Sequence, residues 1–230
     1  MILSGGLMKG RLIVIEGLDG SGKATQTAIL CEKLRKLGLE ADNYSFPDYE
    51  SESSLLVRMY LDGKFGDKPD SVNPYAASCF FACDRYASYK TKWMENYNNG
   101  HIIICDRYTT SNAVHECSKL PEEEWDSFIE WLFDFEYEKV GIPAPDSVIY
   151  LRVDPEMGQK LLSSRYNGDE KKKDIHEKDV EYLKRSRITA DYCADKCGWN
   201  TVECIDNDGM RSPEDIGEDV FDIIRDLLII

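Results

Sequence analysis

Gly17-Leu18-Asp19-Gly20-Ser21-Gly22-Lys23-Ala24 follows a short apolar run, Arg11–Glu16, and opens an amphipathic stretch, Gly22–Leu37, that closes at Gly38. A strand, a glycine-rich turn, a lysine and a helix start therefore occur in the order of a phosphate-binding loop, matching G-x-x-x-x-G-K-[ST] except at its last position. The chemistry explains the residue types. Glycines let successive backbone N–H groups turn inward around phosphate oxygens, and the helix N-terminus adds partial positive charge. Lys23 is placed to bridge the β- and γ-oxygens of a nucleotide. Gly17, Asp19, Gly20, Ser21, Gly22, Lys23, Ala24 and Thr25 thus form the candidate ATP cradle. Ala24 stands where a Ser or Thr hydroxyl usually meets magnesium, and Thr25 is rotated from it by about 100° of helix. Magnesium would then lean on phosphate oxygens, waters and carboxylates.

The pattern outside this loop repeats its alternation. Ala41–Phe46, His101–Asp106, Ser147–Val153 and Thr201–Asp206 read as further strands. Helical patterns cover Ser53–Asp62, Asn73–Asn98, Thr110–Ser118, Glu122–Val140, Pro155–Arg165, His176–Lys196 and Ser212–Ile230, the last with Ser212 as cap and Pro213 at its first position. Strands alternating with helices predict a parallel sheet covered on both faces, a three-layer α/β/α fold. No repeat, linker or low-complexity segment divides the 230 residues, so one domain is expected, with residues 1–10 as an extension.

Composition narrows the function. A formal charge of −15 argues against a duplex nucleic-acid binder, whose face must neutralise phosphates, but leaves room for a small phosphorylated ligand. No apolar run approaches the roughly 18–20 residues of a membrane span. Met1–Gly10 lacks the order of a signal peptide, and the eight cysteines include no CxxC pair. Reduced thiols and a cytoplasmic location are expected, with Cys79/Cys83 and Cys193/Cys197, four apart, serving helix packing.

His101-Ile102-Ile103-Ile104-Cys105-Asp106 is an apolar strand ending in a carboxylate, the arrangement that faces a metal-nucleotide. Arg107 follows at once, and a guanidinium there can grip phosphates bidentately. Read alone, this end is equally a structural Asp–Arg pair.

Asp106-Arg107-Tyr108-Thr109-Thr110-Ser111-Asn112-Ala113-Val114 resembles the signature of the thymidylate kinase family. Phe46-Pro47-Asp48-Tyr49 is similar to that family's Phe-Pro loop, Phe81-Ala82-Cys83-Asp84-Arg85 to its Phe-x-x-x-Arg helix, and Asp174–Asp179 to the end of its mobile lid. The resemblance runs from about Arg11 to the C-terminus. It implies a P-loop kinase fold with about five parallel strands and a lid over about 165–177. It also implies phosphorylation of dTMP to dTDP with Mg·ATP, in dTTP biosynthesis, and a homodimer.

By the same resemblance, Phe81 stacks on thymine and Arg85 bonds its 4-oxo group. The two are i and i+4, so they share a helix face. Asn112 would contact the base, Arg107 the dTMP phosphate, and Asp19 the 3′-hydroxyl or the metal, with Phe46, Pro47, Tyr49 and Ser111 completing the acceptor site. His115 replaces the family's usual aromatic residue against the sugar, which leaves discrimination against ribonucleotides open. Glu116 also departs from the pattern. Arg152, where relatives often carry an acid, has no functional reading.

From Lys160 to Arg187 the chain carries nine Lys/Arg against six Asp/Glu, against its global sign. Arg165, Lys171, Lys172 and Lys173 are candidates for a lid cation that reaches the transferring phosphoryl group. Asp106, by its place at the strand end, and Glu177, by the same family resemblance, are candidate magnesium ligands. The catalytic set is thus Lys23, Arg107, Asp106 and Arg165. A kinase of this fold for another nucleotide or a deoxynucleoside, and a nucleotide-binding regulator without turnover, remain the alternatives.

Overall fold

The structure, a computed structural model, describes residues 9–154, 157–158, 175–176, 179–207 and 209–228. Five strands, β1 (Arg11–Glu16), β2 (Ala41–Ser45), β3 (Ile102–Asp106), β4 (Ser147–Arg152) and β5 (Asn200–Glu203), form one sheet in the order β2-β3-β1-β4-β5. Every pairing is parallel. β1 lies at the centre, and Leu12, Ile13, Val14 and Ile15 are all solvent-inaccessible, as a strand covered on both faces requires.

Alternation along β1 assigns those side chains to opposite layers. Ile13 and Ile15 pack with Leu30 and Leu34 of α1 (Lys23–Lys36) and Val220 and Ile224 of the last helix, Pro213–Leu228. Leu12 and Val14 face the opposite way, toward Trp93, Tyr97, Ile103 and Tyr108. The intervening helices are α2 (Leu55–Leu61), α3 (Pro74–Ser88), α4 (Met94–Asn98), α5 (Thr109–Cys117), α6 (Trp125–Phe133) and α7 (Val180–Cys197), with Pro213–Leu228 as α8. The layered fold and the five parallel strands agree with the sequence reading.

Four local expectations change. The helix expected over Asn73–Asn98 is interrupted by a π-helical turn at Tyr89–Trp93. Its wider turn carries Trp93 into the core between the rings of Tyr89, 4.7 Å away, and Tyr97, 6.0 Å away. A second π-helical segment, Asp134–Val140, replaces the end of the helix expected to run to Val140. The strand expected over Thr201–Asp206 breaks where Cys204 turns into the core and donates its N–H to the Arg152 carbonyl. Ile205–Asp206 then pairs antiparallel with Gly209–Met210.

α7 begins at Val180 rather than His176, because the Asp179 carboxylate caps it by accepting from the Tyr182 N–H at 2.9 Å. Ser212 caps α8 as expected, its Oγ accepting from the Asp215 N–H. The expected helix Pro155–Arg165 and the lid at 165–177 lie outside the described residues, apart from 157–158 and 175–176.

Arg152 acquires an account here. Its guanidinium joins Asp191 of α7 to Glu203 of β5, fastening the edge of the sheet to the helix above it. Cys79 and Cys83 are exposed on α3 rather than packed, while Cys193 is buried, and none of the eight cysteines is bridged.

Candidate active site

The carboxyl ends of β1 and β3 meet the start of α1 at a cleft of about 570 Å³. The loop after β1 turns through left-handed conformations at Gly20 and Gly22. Gly20 also needs its missing side chain, since a Cβ there would lie 2.3 Å from the Gly158 carbonyl oxygen. Of the predicted cradle, Asp19, Gly20, Gly22, Lys23, Ala24 and Thr25 line the cleft. Gly17 and Ser21 sit behind it: a Cβ on Gly17 would meet Ser21 Oγ, which is buried without a hydrogen-bond partner.

Glu16, the last residue of β1, organises the floor. Its carboxylate is 1% exposed and accepts from the Gly17 N–H at 2.9 Å, Thr110 Oγ1 at 2.7 Å and Ser111 Oγ at 2.8 Å. It also stands 3.7 Å from Arg107. Sequence reasoning missed it, although an acid closing an apolar strand beside the loop is the same signal that identified Asp106.

Arg107 holds a left-handed backbone at φ 68°, which a non-glycine residue rarely adopts and which turns its guanidinium across the cleft. That guanidinium bonds the Asp19 carboxylate, donates to Ser111 Oγ at 3.2 Å, and lies 3.3 Å from His115 Nε2. Burial opposes the charge on Arg107, but Asp19, Glu16 and Asp106 outweigh it and raise its pKa. Burial likewise opposes ionisation of Asp19, and Arg107 and Lys23 reverse that, holding its carboxyl well below the usual range. Lys23 is nearly buried and donates to the Leu18 carbonyl at 2.9 Å. Burial and then Arg107 lower its pKa, against Asp19, Asp106 and Glu16.

Phe81 and Arg85 of α3 both line the opposite wall, with Asn112 and His115 of α5 beside them. Phe46, Pro47 and Tyr49, after β2, form the rim, with a cis Phe46–Pro47 peptide. Arg85 does not stand free. Its Nε donates to Glu136 Oε2 at 2.7 Å, and Thr109 Oγ1 donates to the same oxygen at 2.9 Å. Ser111 and Asp106 also face the cleft. Arg165 and Glu177 lie outside the described residues.

A buried polar cluster that the sequence did not announce backs His115. Its ring stacks on His176 and Tyr182, and Tyr60 OH bonds His176 Nε2 at 2.8 Å and accepts from Lys119 at 2.7 Å. Lys119 also pairs with Glu116 at 2.6 Å, both groups almost wholly inaccessible. Burial pushes the Glu116 carboxyl up, partly offset by Lys119.

Burial, then the Arg107 charge, pushes the His115 imidazole down to about 3. An unfolded imidazole titrates near 6.5, so between those values the unfolded chain binds a proton that the folded chain refuses. The stability carried by neutral His115 is complete above pH 6.5 and is lost as pH falls toward 3. His115→Gln is therefore expected to lose about 2 kcal/mol less than the parent between pH 7.5 and pH 5. Urea unfolding at the two pH values reads this difference, and equal losses would show that His115 titrates normally.

Among the described residues no group of three or more His, Cys, Asp or Glu is arranged to hold a metal. Ala24 offers no donor, whereas Asp19 and Asp106 face the cleft beside the loop. This set fits a magnesium ion that arrives on a nucleotide and keeps its waters, with carboxylates nearby, rather than a resident metal. No described helix is long and apolar enough to cross a membrane.

The sequence model of the family described as Thymidylate kinase matches residues 15–207. A thymidylate kinase of Mycobacterium tuberculosis is 32% identical over 178 residues, 76% of this chain and 81% of that protein. One from Schizosaccharomyces pombe is 28% identical over 96% of this chain and 94% of its own length. The solved thymidylate kinase of Candida albicans shares the fold, with a TM-score of 0.67 and 23% identity over 94% of this chain and 92% of its own. The family match spans the loop after β1, the end of β3 and both walls of the cleft, and on it this chain, an enzyme of the nucleoside monophosphate kinase type, belongs to the thymidylate kinase family.

Proposed function

We propose that this enzyme transfers the γ-phosphate of Mg·ATP in line to the 5′-phosphate of dTMP, giving dTDP and ADP. The observation that carries the reading is that Lys23, Arg107 and the Phe81/Arg85 pair all line one continuous cleft. A donor phosphate on the loop and an acceptor phosphate at Arg107 then meet at the carboxyl ends of β1 and β3, with the base reaching Phe81 and Arg85.

The acceptor oxygen is already anionic and needs no strong general base, so catalysis consists of positioning and charge neutralisation. Lys23 neutralises the β- and γ-oxygens. Arg107 exchanges its Asp19 contact for the acceptor phosphate and leaves Asp19 for the sugar hydroxyl or for a place near the magnesium that would come with the nucleotide. Magnesium, when bound, neutralises charge between the phosphates. Arg165 or one of Lys171–Lys173 supplies the further cation from the lid.

A coupled ADP-release assay with dTMP, dUMP, UMP, dCMP, AMP and thymidine tests this reading. Preference for dTMP supports it, turnover on another acceptor discards the base-reading roles, and ATP binding without turnover discards the kinase.

We further propose a homodimer built on α3. Tyr75, Cys79, Cys83 and Tyr86 recur along one exposed helix face, with the two tyrosines 42% and 43% accessible. Light scattering is expected to give twice the chain mass, and Tyr86→Glu to return it to the monomer mass; a monomeric parent would refute the dimer. Unbridged cysteines support a reducing, cytoplasmic location.

A further inference from the structure

The cleft holds two arginines, and their surroundings differ in a way that assigns them different tasks. Arg107 meets Asp19, a cleft-lining carboxylate that keeps part of its surface accessible. Arg85 meets Glu136, which is wholly inaccessible and engages it as a fork, Nε to Oε2 and NH2 to Oε1. A second buried donor, Thr109 Oγ1, fixes the same carboxylate. Among the described residues the third guanidinium nitrogen, NH1, reaches only the Tyr108 carbonyl, at 3.4 Å, longer than an ordinary N–H···O bond. The fork leaves outer N–H groups of NH1 and NH2 for the cleft that Arg85 lines.

Glu136 belongs to the π-helical segment Asp134–Val140, whose wide turn ends at Gly141 in a left-handed conformation. Such turns within α-helices occur frequently at functional positions. Here the wide turn carries a carboxylate that would otherwise read as one more acid in a Phe- and Tyr-rich helix.

We propose that Glu136 is a positioning residue for acceptor recognition, holding the Arg85 guanidinium by two bonds and cancelling its charge. The wall beside Phe81 then offers directed N–H donors but no net cation. A base carbonyl is accepted there. An exocyclic amino group is rejected, because donor would face donor, and a phosphate gains nothing there that Arg107 does not offer better. The inference rests on dTMP being the acceptor. It extends that reading by naming the group that makes Arg85 a reader of carbonyl bases rather than a second phosphate clamp.

Steady-state kinetics of Glu136→Gln with dTMP and dCMP test it. Loss of the fork is expected to raise KM for dTMP about tenfold, leave KM for ATP within twofold, and reduce the dTMP/dCMP ratio of kcat/KM at least tenfold. In an Arg85→Met background the same change is expected to alter the ratio less than twofold, because Glu136 acts through Arg85. Thr109→Val, which removes one orienting bond while keeping the charge pair, is expected to move the ratio in the same direction by less, and Thr109→Ser to restore it. This variant carries the test if Glu136→Gln does not fold.

An unchanged ratio in a folded Glu136→Gln or Thr109→Val protein, or an equal rise in KM for ATP, would overturn the proposal. A parent enzyme that does not prefer dTMP would instead overturn the function itself, and the parent's own panel shows which has failed.

Discussion

Lys23→Met is expected to lower kcat for dTMP phosphorylation by about 10³-fold while leaving the melting temperature unchanged or slightly higher. The two halves of that expectation have one cause. Lys23 is 7% exposed, with its Nζ resting on the Leu18 carbonyl of its own loop. Burial and the nearby Arg107 both disfavour its charge in the ligand-free protein, so a neutral side chain of similar length relieves the fold rather than straining it. The charge is useful only when phosphate oxygens replace that carbonyl. On the proposed mechanism it then acts where negative charge builds during transfer. Single-turnover rates at saturating ATP separate the chemical step from binding. A loss under tenfold would mean that another cation neutralises the transferring group.

Glu16→Ala is expected to lower the melting temperature by about 10 °C and to abolish most activity with it. Removing this carboxylate strands the Gly17 N–H, two hydroxyls and part of the Arg107 charge in the interior at once. Breaking a buried charged group away from its partners costs about 3–5 kcal/mol. For a domain of about 150–250 residues each kcal/mol moves the midpoint by about 2–4 °C. Glu16→Gln is expected to fall between, since the amide keeps one acceptor but returns no charge to Arg107. Calorimetry of the two variants decides the matter, and a Glu16→Ala protein melting within 2 °C of the parent would show that water fills the hub.

The parts of this molecule that announce themselves in sequence are those in which chemistry imposes local order. The loop from Gly17 to Lys23 is legible because strand, glycines, lysine and helix start are contiguous, whereas Asp106-Arg107, an acid and a base closing an apolar strand, gains a functional reading only beside that loop. Alternation of apolar runs and helices predicted the five-stranded parallel sheet. Hidden from view were the groups whose role depends on a partner far along the chain. Glu136 meets Arg85 from 51 residues away, and His176 meets Tyr60 from 116. Neither has a spacing that a pattern can detect. The π-helical turns were equally invisible, because a single extra residue in a turn leaves the surrounding apolar periodicity almost unchanged. Arg152 looked unemployed because both its carboxylates, on α7 and β5, come later in the chain.

The contact between α1 and α8 bears on how the protein is made. Gln26, one turn beyond the phosphate loop, donates to the Pro213 carbonyl across 187 residues, and Ile29 packs on Gly217 in the same seam. Until α8 has left the ribosome, that side of α1 has no cover, and the apolar residues it shares with Ile216 and Val220 stay wet. At about 5–20 residues per second, some 10–40 s separate the synthesis of the loop from that of its support. The helix that opens the glycine-rich loop therefore gains its full apolar cover only when nearly the whole described chain has been made.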